Sequence, residues 1–113
     1  MDDKPLVTKS RAFALNIMHL CKEIKHPLIN QLLRSGTSIG ANVHEGIYAS
    51  SRKDFTAKMH IALKESSESE YWLELLYQTE YITQAQYESM MEDCKALSKM
   101  LISIVKTSKE EPK

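Results

Sequence analysis

Glycine and proline are scarce in this chain: three glycines sit together at positions 36, 40 and 46, and prolines occur only at 5, 27 and 112. With so little punctuation, long uninterrupted elements are expected. Cysteine is scarcer still. Cys21 and Cys94 stand far apart and outside any C-x-x-C spacing, which argues against both a disulfide framework and a zinc site and suits a reducing compartment. No run approaches the roughly 18 apolar residues that a membrane span requires. The opening Met1-Asp2-Asp3-Lys4-Pro5 lacks an apolar signal core, so a cytoplasmic location without membrane association is expected. Net charge is also missing, because 15 Lys and Arg balance 15 Asp and Glu, and the chain lacks the global field of a simple nucleic-acid coat.

What is present is helical periodicity and a local imbalance of charge. The 113 residues fit one domain, 1–113, large enough to bury a core unaided. Residues 1–64 carry ten basic and five acidic side chains, residues 65–113 five basic and ten acidic, so the two halves are electrically opposite. Four helices fit between the breaks. The first is expected over 9–25, capped by Thr8 or Ser10 and stopped by Pro27; the second spans 28–49. A third, over 52–81, starts from Ser51 with Asp54 three residues later, and Thr83 with Gln86 repeats that capping logic for a fourth over 84–107. Residues 108–113 read as a polar tail.

In helix three Phe55, Met59, Ala62, Ser66, Ser69, Leu73 and Leu76 repeat at spacings of four and three, the seam of a helical bundle. Tyr87, Met90, Cys94, Leu97, Leu101 and Ile104 match it in helix four, and Leu28, Leu32, Ile39, Val43 and Ile47 form the apolar face of helix two. The expected fold is an all-α, antiparallel up-down four-helix bundle. A second stripe on helix three, Ala57, Ile61, Trp72 and Leu75, lies roughly 120 to 160° around the wheel from the first. One core cannot bury both, and helix four has a similarly wide arc with Met91, Met100 and Ile102. Contiguous surplus apolar surface implies a closed homo-oligomer, with Lys64 and Glu68 as an ion pair beside the interface.

Several patterns could carry chemistry. Gln31, Ser35, Ser38, Asn42 and Glu45 form a stripe of polar groups beside the apolar face of helix two, suited to an internal hydrogen-bond network that pins register. The phosphate loop G-x-x-x-x-G-K-[ST] is absent. Glu23 and His26 match the E-x-x-H of di-iron bundles, but no second copy exists and Pro27 follows at once. His44 and Glu45 point about 100° apart on a helix, which suits no shared ligand field. Helical ribonucleases resembling the HEPN superfamily place His four to six residues after Arg; Arg11 with His19 and Arg52 with His60 miss that spacing. No catalytic residue, cofactor or metal is therefore expected. For nucleic acid the candidate contacts are Lys9, Arg11, Arg34, Arg52, Lys53 and Lys58, with Arg52 and Lys53 at a helix start that favours phosphate.

Three segments together carry a resemblance: Gln31-Leu32-Leu33-Arg34-Ser35-Gly36-Thr37-Ser38-Ile39-Gly40-Ala41-Asn42-Val43, Ser51-Arg52-Lys53-Asp54-Phe55, and 61–73 with its Ser66-Ser67-Glu68-Ser69-Glu70-Tyr71-Trp72 core. In these words and their order the chain resembles the four-helix-bundle family encoded within intervening sequences of bacterial large-subunit ribosomal RNA genes. Members are often labelled ribosomal proteins. The resemblance implies an antiparallel bundle assembling as a homopentamer, with no established activity. A related branch, the accessory proteins of diversity-generating retroelements, forms barrel-shaped pentamers that associate with a reverse transcriptase and nucleic acid. Arg34, Ser38, Asn42, Lys53, Asp54, Glu65, Tyr71 and Trp72 fall on the family pattern. The function these observations imply is a non-catalytic homo-oligomer that binds RNA, or a protein acting on nucleic acid, through its basic half. The competing class is a pure protein-interaction scaffold, and the third a helical ribonuclease.

Overall fold

A computed structural model describes residues 3–110, which form four α-helices: α1 (Lys4–Lys22), α2 (Ile29–Ile47), α3 (Arg52–Gln78) and α4 (Gln84–Glu110). Each helix packs on the one before it in sequence, and α4 returns to α1 through the least extensive of the four seams. Cross-helix partners fix the directions. Gly36 and Gly40 of α2 face Ile17 and Ser10 of α1; Ser35 meets Ser69 and Glu45 meets Lys58 on α3. Ser66 meets Ser98, and Tyr77 stacks on Tyr87 with ring centroids 4.4 Å apart, across α3 and α4. In every pair the numbers run in opposite senses, so neighbouring helices are antiparallel. The bundle measures 48 × 20 × 19 Å.

The helix boundaries depart from expectation where the backbone chemistry is unusual. α1 begins at Lys4 rather than 9, because Pro5 falls in the first turn, where a missing N–H costs nothing. Thr8 and Ser10 are therefore inside the helix, not caps, and Ser10 is buried with its hydroxyl donating to the Val7 carbonyl. At the other end α1 stops at Lys22 instead of 25. His26 then builds the turn: its Nδ1 accepts the Leu28 N–H at 2.9 Å and its ring meets the Tyr81 ring edge-on at 4.4 Å. α3 ends at Gln78, short of 81, with Tyr81 N–H on the Leu76 carbonyl and Glu80 N–H on that of Tyr77. That is a Schellman ending, and Glu80, at φ 67°, occupies the left-handed position where glycine is usual. α4 runs three residues beyond 107, so 108–110 are helical rather than tail; 111–113 lie outside the described residues.

The two expected capping motifs are in place. Ser51 Oγ accepts the Asp54 N–H at 3.1 Å. Thr83 and Gln86 exchange bonds of 3.1 and 2.8 Å, a reciprocal capping box. The predicted seams are also buried, from Met59 to Leu76 on α3 and from Met90 to Ile104 on α4. On α2 Leu32, Ile39 and Val43 are buried, but Leu28 and Ile47 at the ends are exposed. Among the described residues no helix is long and apolar enough to cross a membrane.

In the core α2 approaches α1 closely. A Cβ added at Gly36 would lie 2.9 Å from both Cγ atoms of Ile17, a fully buried β-branched side chain that cannot swing aside. Gly36→Ala should gain helix propensity of about 1 kcal/mol and lose more to overpacking, for a net destabilisation of about 1–2 kcal/mol. Urea unfolding checks this. The same substitution in an Ile17→Ala background should cost less, whereas a stabilised Gly36→Ala protein would mean that the α1–α2 seam has slack.

Candidate functional site

The polar stripe of α2 does not form one internal network. Ser35 alone reaches the core, where its hydroxyl accepts from Ser69 at 3.0 Å. Ser38 donates to the Arg34 carbonyl and Asn42 to the Ser38 carbonyl, both within their own helix. Gln31 is exposed, and Glu45 makes a surface ion pair of 3.1 Å with Lys58. A partly buried polar network lies between α3 and α4: Ser66 meets Ser98 at 2.9 Å, Ser98 donates to Glu70 at 3.1 Å, and the Cys94 thiol donates to the Ser66 carbonyl.

Arg34, expected to contact nucleic acid, is held by two carboxylates of α3. Its guanidinium pairs with Glu65 at 2.9 Å and with Glu68. Glu68 also accepts the Trp72 indole N–H at 2.9 Å. The expected Lys64–Glu68 pair is thus replaced, and Lys64 is exposed. The second apolar stripe of α3 divides in consequence. Trp72 and Leu75 are half-buried within the subunit, walling a cavity of about 140 Å³ under the His26–Leu28 turn, while Ala57 and Ile61 stay exposed, Ile61 at 40%. Met91, assigned to the surplus arc of α4, is buried in the core, Met100 is half-buried and Ile102 is exposed.

The remaining basic candidates converge. The start of α1, the end of α2, the start of α3 and the end of α4 share one end of the bundle. Lys4, Lys9, Arg11, Arg52, Lys53, Lys58 and Lys106 lie there with only Asp3, Glu45 and Asp54 among the described side chains. The opposite end carries Lys22, Lys25, Arg34 and Lys95 against eight acidic side chains, including Glu70, Glu74, Glu80, Glu88 and Glu92, while Lys64, Glu65 and Lys99 lie near the middle of the bundle. The sequence's opposed halves therefore become opposed ends. Lys106, from the acidic half, joins the basic end, whereas Lys22 and Lys25 do not.

Two grooves border α2 at the basic end. The larger, about 640 Å³, runs between α2 and α3 and is lined by His44, Glu45, Tyr48, Asp54, Lys58 and Ile61 among others. The smaller, about 220 Å³, runs between α1 and α2 with Arg11, Gly40 and His44 in its wall. His44 lines both, and its ring lies 5.3 Å from that of Tyr48. Tyr48 is 78% exposed, the highest value among the exposed large hydrophobic side chains. Sequence reasoning passed over Tyr48; a tyrosine at the C-cap of α2, where a polar terminator is usual, was the available signal.

Other chemistry finds little support in the geometry. Arg11 and His19, and likewise Arg52 and His60, lie on single helices, eight residues and so roughly 12 Å apart along the axis, too far to share one scissile phosphate. Glu23 is exposed and His26 is engaged at its turn. No group of three or more His, Cys, Asp or Glu among the described residues is placed to hold a metal ion. Burial pushes the Cys21 thiol up to about 11, and burial with the nearby Glu70 and Asp93 carboxylates pushes the Cys94 thiol up to about 12. Both stay protonated at neutral pH and are poor nucleophiles.

A family model described as 23S rRNA-intervening sequence protein matches residues 3–103. The chain belongs to that family. Among solved structures, a protein of unknown function from the S23 ribosomal protein family of Bacteroides thetaiotaomicron, determined at 1.70 Å, superposes with a TM-score of 0.90. It is 50% identical over 94% of this chain and 99% of its own. Comparison with curated proteins finds no match. Membership of the intervening sequence family thus accounts for the four packed helices and leaves the activity to be argued from the surface.

Proposed function

We propose that the protein is a non-catalytic homo-oligomer, of five subunits as the family resemblance implies, that binds RNA through its basic end. The observation that carries this is the separation of charge: a neutral chain folds so that seven basic side chains crowd one end with three acidic ones. Such an end presents a local positive field to a phosphate backbone although the net charge is zero. Arg34 is no part of this surface, since Glu65 and Glu68 offset its charge. A cytoplasmic location goes with this function.

Support for assembly comes from apolar side chains left outside the subunit core. Ile61 and Ala57 on α3, Ile102 on α4, and Leu15 and Met18 on α1 are exposed, the last two beside Cys21, Ile29 and Leu33 in a groove of about 310 Å³. Opposite charge at the two ends favours one competing function, a scaffold in which the basic end of one copy pairs with the acidic end of another.

Arg52→Glu with Lys53→Glu should weaken RNA binding at least tenfold without changing the mass of the assembly; undiminished binding would remove the basic end from the site, and dissociation of the oligomer would favour the scaffold. Ile61→Glu is the cleaner test of assembly than Trp72→Glu, because Ile61 is exposed whereas Trp72 also packs within its own subunit. It should give smaller particles in light scattering with helical circular dichroism intact, and an unchanged mass would place the interface elsewhere.

A further inference from the structure

Tyr48 is 78% exposed at the rim of the α2–α3 groove, a higher exposure than that of Tyr71 or Tyr81. Its ring is tilted 58° to that of His44, so the pair presents two π surfaces on the end of α2. Because His44 lines the grooves on both sides of α2, the two form one path across that helix; Ala57 and Ile61 also line the α2–α3 groove and belong to the assembly face proposed above, so the path is confined to the Tyr48, His44 and Lys58 part of it. Arg11 stands on the α1 side of the path, and Lys58 on the α3 side, with Arg52 and Lys53 a turn or more earlier on the same helix. The acidic members of the groove already have partners: Glu45 binds Lys58 at 3.1 Å, and Asp54 accepts from Ser50 at 3.1 Å. An ammonium carries three donors, so Lys58 can hold Glu45 and still meet a phosphate.

We propose that this path seats a single-stranded segment of RNA, with one or two bases stacked on Tyr48 and His44 and the flanking phosphates taken by Arg11 on one side and by Lys58, Arg52 and Lys53 on the other. The proposal rests on the RNA-binding function above and specifies its ligand. Duplex RNA keeps its base faces inside the stack and offers an aromatic side chain nothing to bind, whereas unpaired bases in loops and ends stack on Tyr or His while basic residues track the backbone. The combination of protruding rings and bordering cations therefore selects unpaired strands. It also gives Tyr48 and His44 a role that the clustering of Lys and Arg alone leaves unexplained.

The test uses the full-length protein, a fluorescein-labelled twelve-nucleotide oligouridylate and a hairpin duplex of similar length, followed by anisotropy. The wild type should prefer the single strand. Tyr48→Ala should weaken single-strand binding roughly tenfold, leave duplex binding unchanged and keep the mass of the assembly, while Tyr48→Phe retains the affinity. Equal affinity of Tyr48→Ala and wild type for the oligouridylate would overturn the stacking site; if Arg52→Glu with Lys53→Glu still weakened binding, RNA binding at the basic end would survive that failure. Loss of subunits on Tyr48→Ala would assign the ring to a subunit contact and overturn the site as well. Wild-type protein that binds neither RNA would overturn both this site and the function on which it rests.

Discussion

The close approach of α2 to α1 at Gly36 and Gly40 is the constraint on which the rest of the structure depends. Without Cβ atoms on that face, the α2 backbone lies against Ile17 and the Ser10 carbonyl, and the buried Ser10 and Ile17 side chains fill the space between. On its other flank α2 meets α3 through the small pair Ser35 and Ser69, whose mutual bond satisfies two hydroxyls in the core. α2 thereby acts as the spine of the bundle. Its register against α3 is repeated at the surface by Arg34 with Glu65 and Glu68 near one end and Glu45 with Lys58 near the other. These exposed pairs add little energy, but a shift of one turn would unmake both.

That register decides what the charges do. In linear order the basic residues fill the first half of the chain and the acidic residues the second, an arrangement that a differently connected fold could have hidden by pairing the halves side by side. Antiparallel packing with short turns instead brings the basic start of α3 to the same end of the bundle as the start of α1, and the acidic end of α3 against the acidic start of α4. Opposite poles result, some tens of ångströms apart on a body 48 Å long and beyond the screening length of physiological salt, so each acts on its surroundings independently.

Much of this was legible in the sequence because it follows from periodicity. The seams of α3 and α4, the Ser51 cap and the Thr83–Gln86 box are local patterns with one physical meaning, and the structure reproduces them. The misreadings have equally local causes. Pro5 reads as punctuation although a first-turn proline opens a helix, and nothing in the sequence marks Glu80 for the conformation usually reserved for glycine. The fates of Trp72, Met91 and Arg34 depended on tertiary neighbours: the His26 turn reaching over α3, the depth of the α4 seam, and two carboxylates 31 and 34 residues away. Tyr48 protrudes, and an unburied residue leaves no trace in the apolar periodicity.

The central claim is that one end of a neutral bundle is a phosphate-binding surface. Titration of the purified, nuclease-treated protein with RNA at several salt concentrations tests it most directly. A steep linear fall of log affinity with log salt would show several phosphates neutralised per assembly, as the clustered Lys and Arg side chains predict. Absence of binding even at low salt would contradict the account and leave the basic end to pair with the acidic end of another copy.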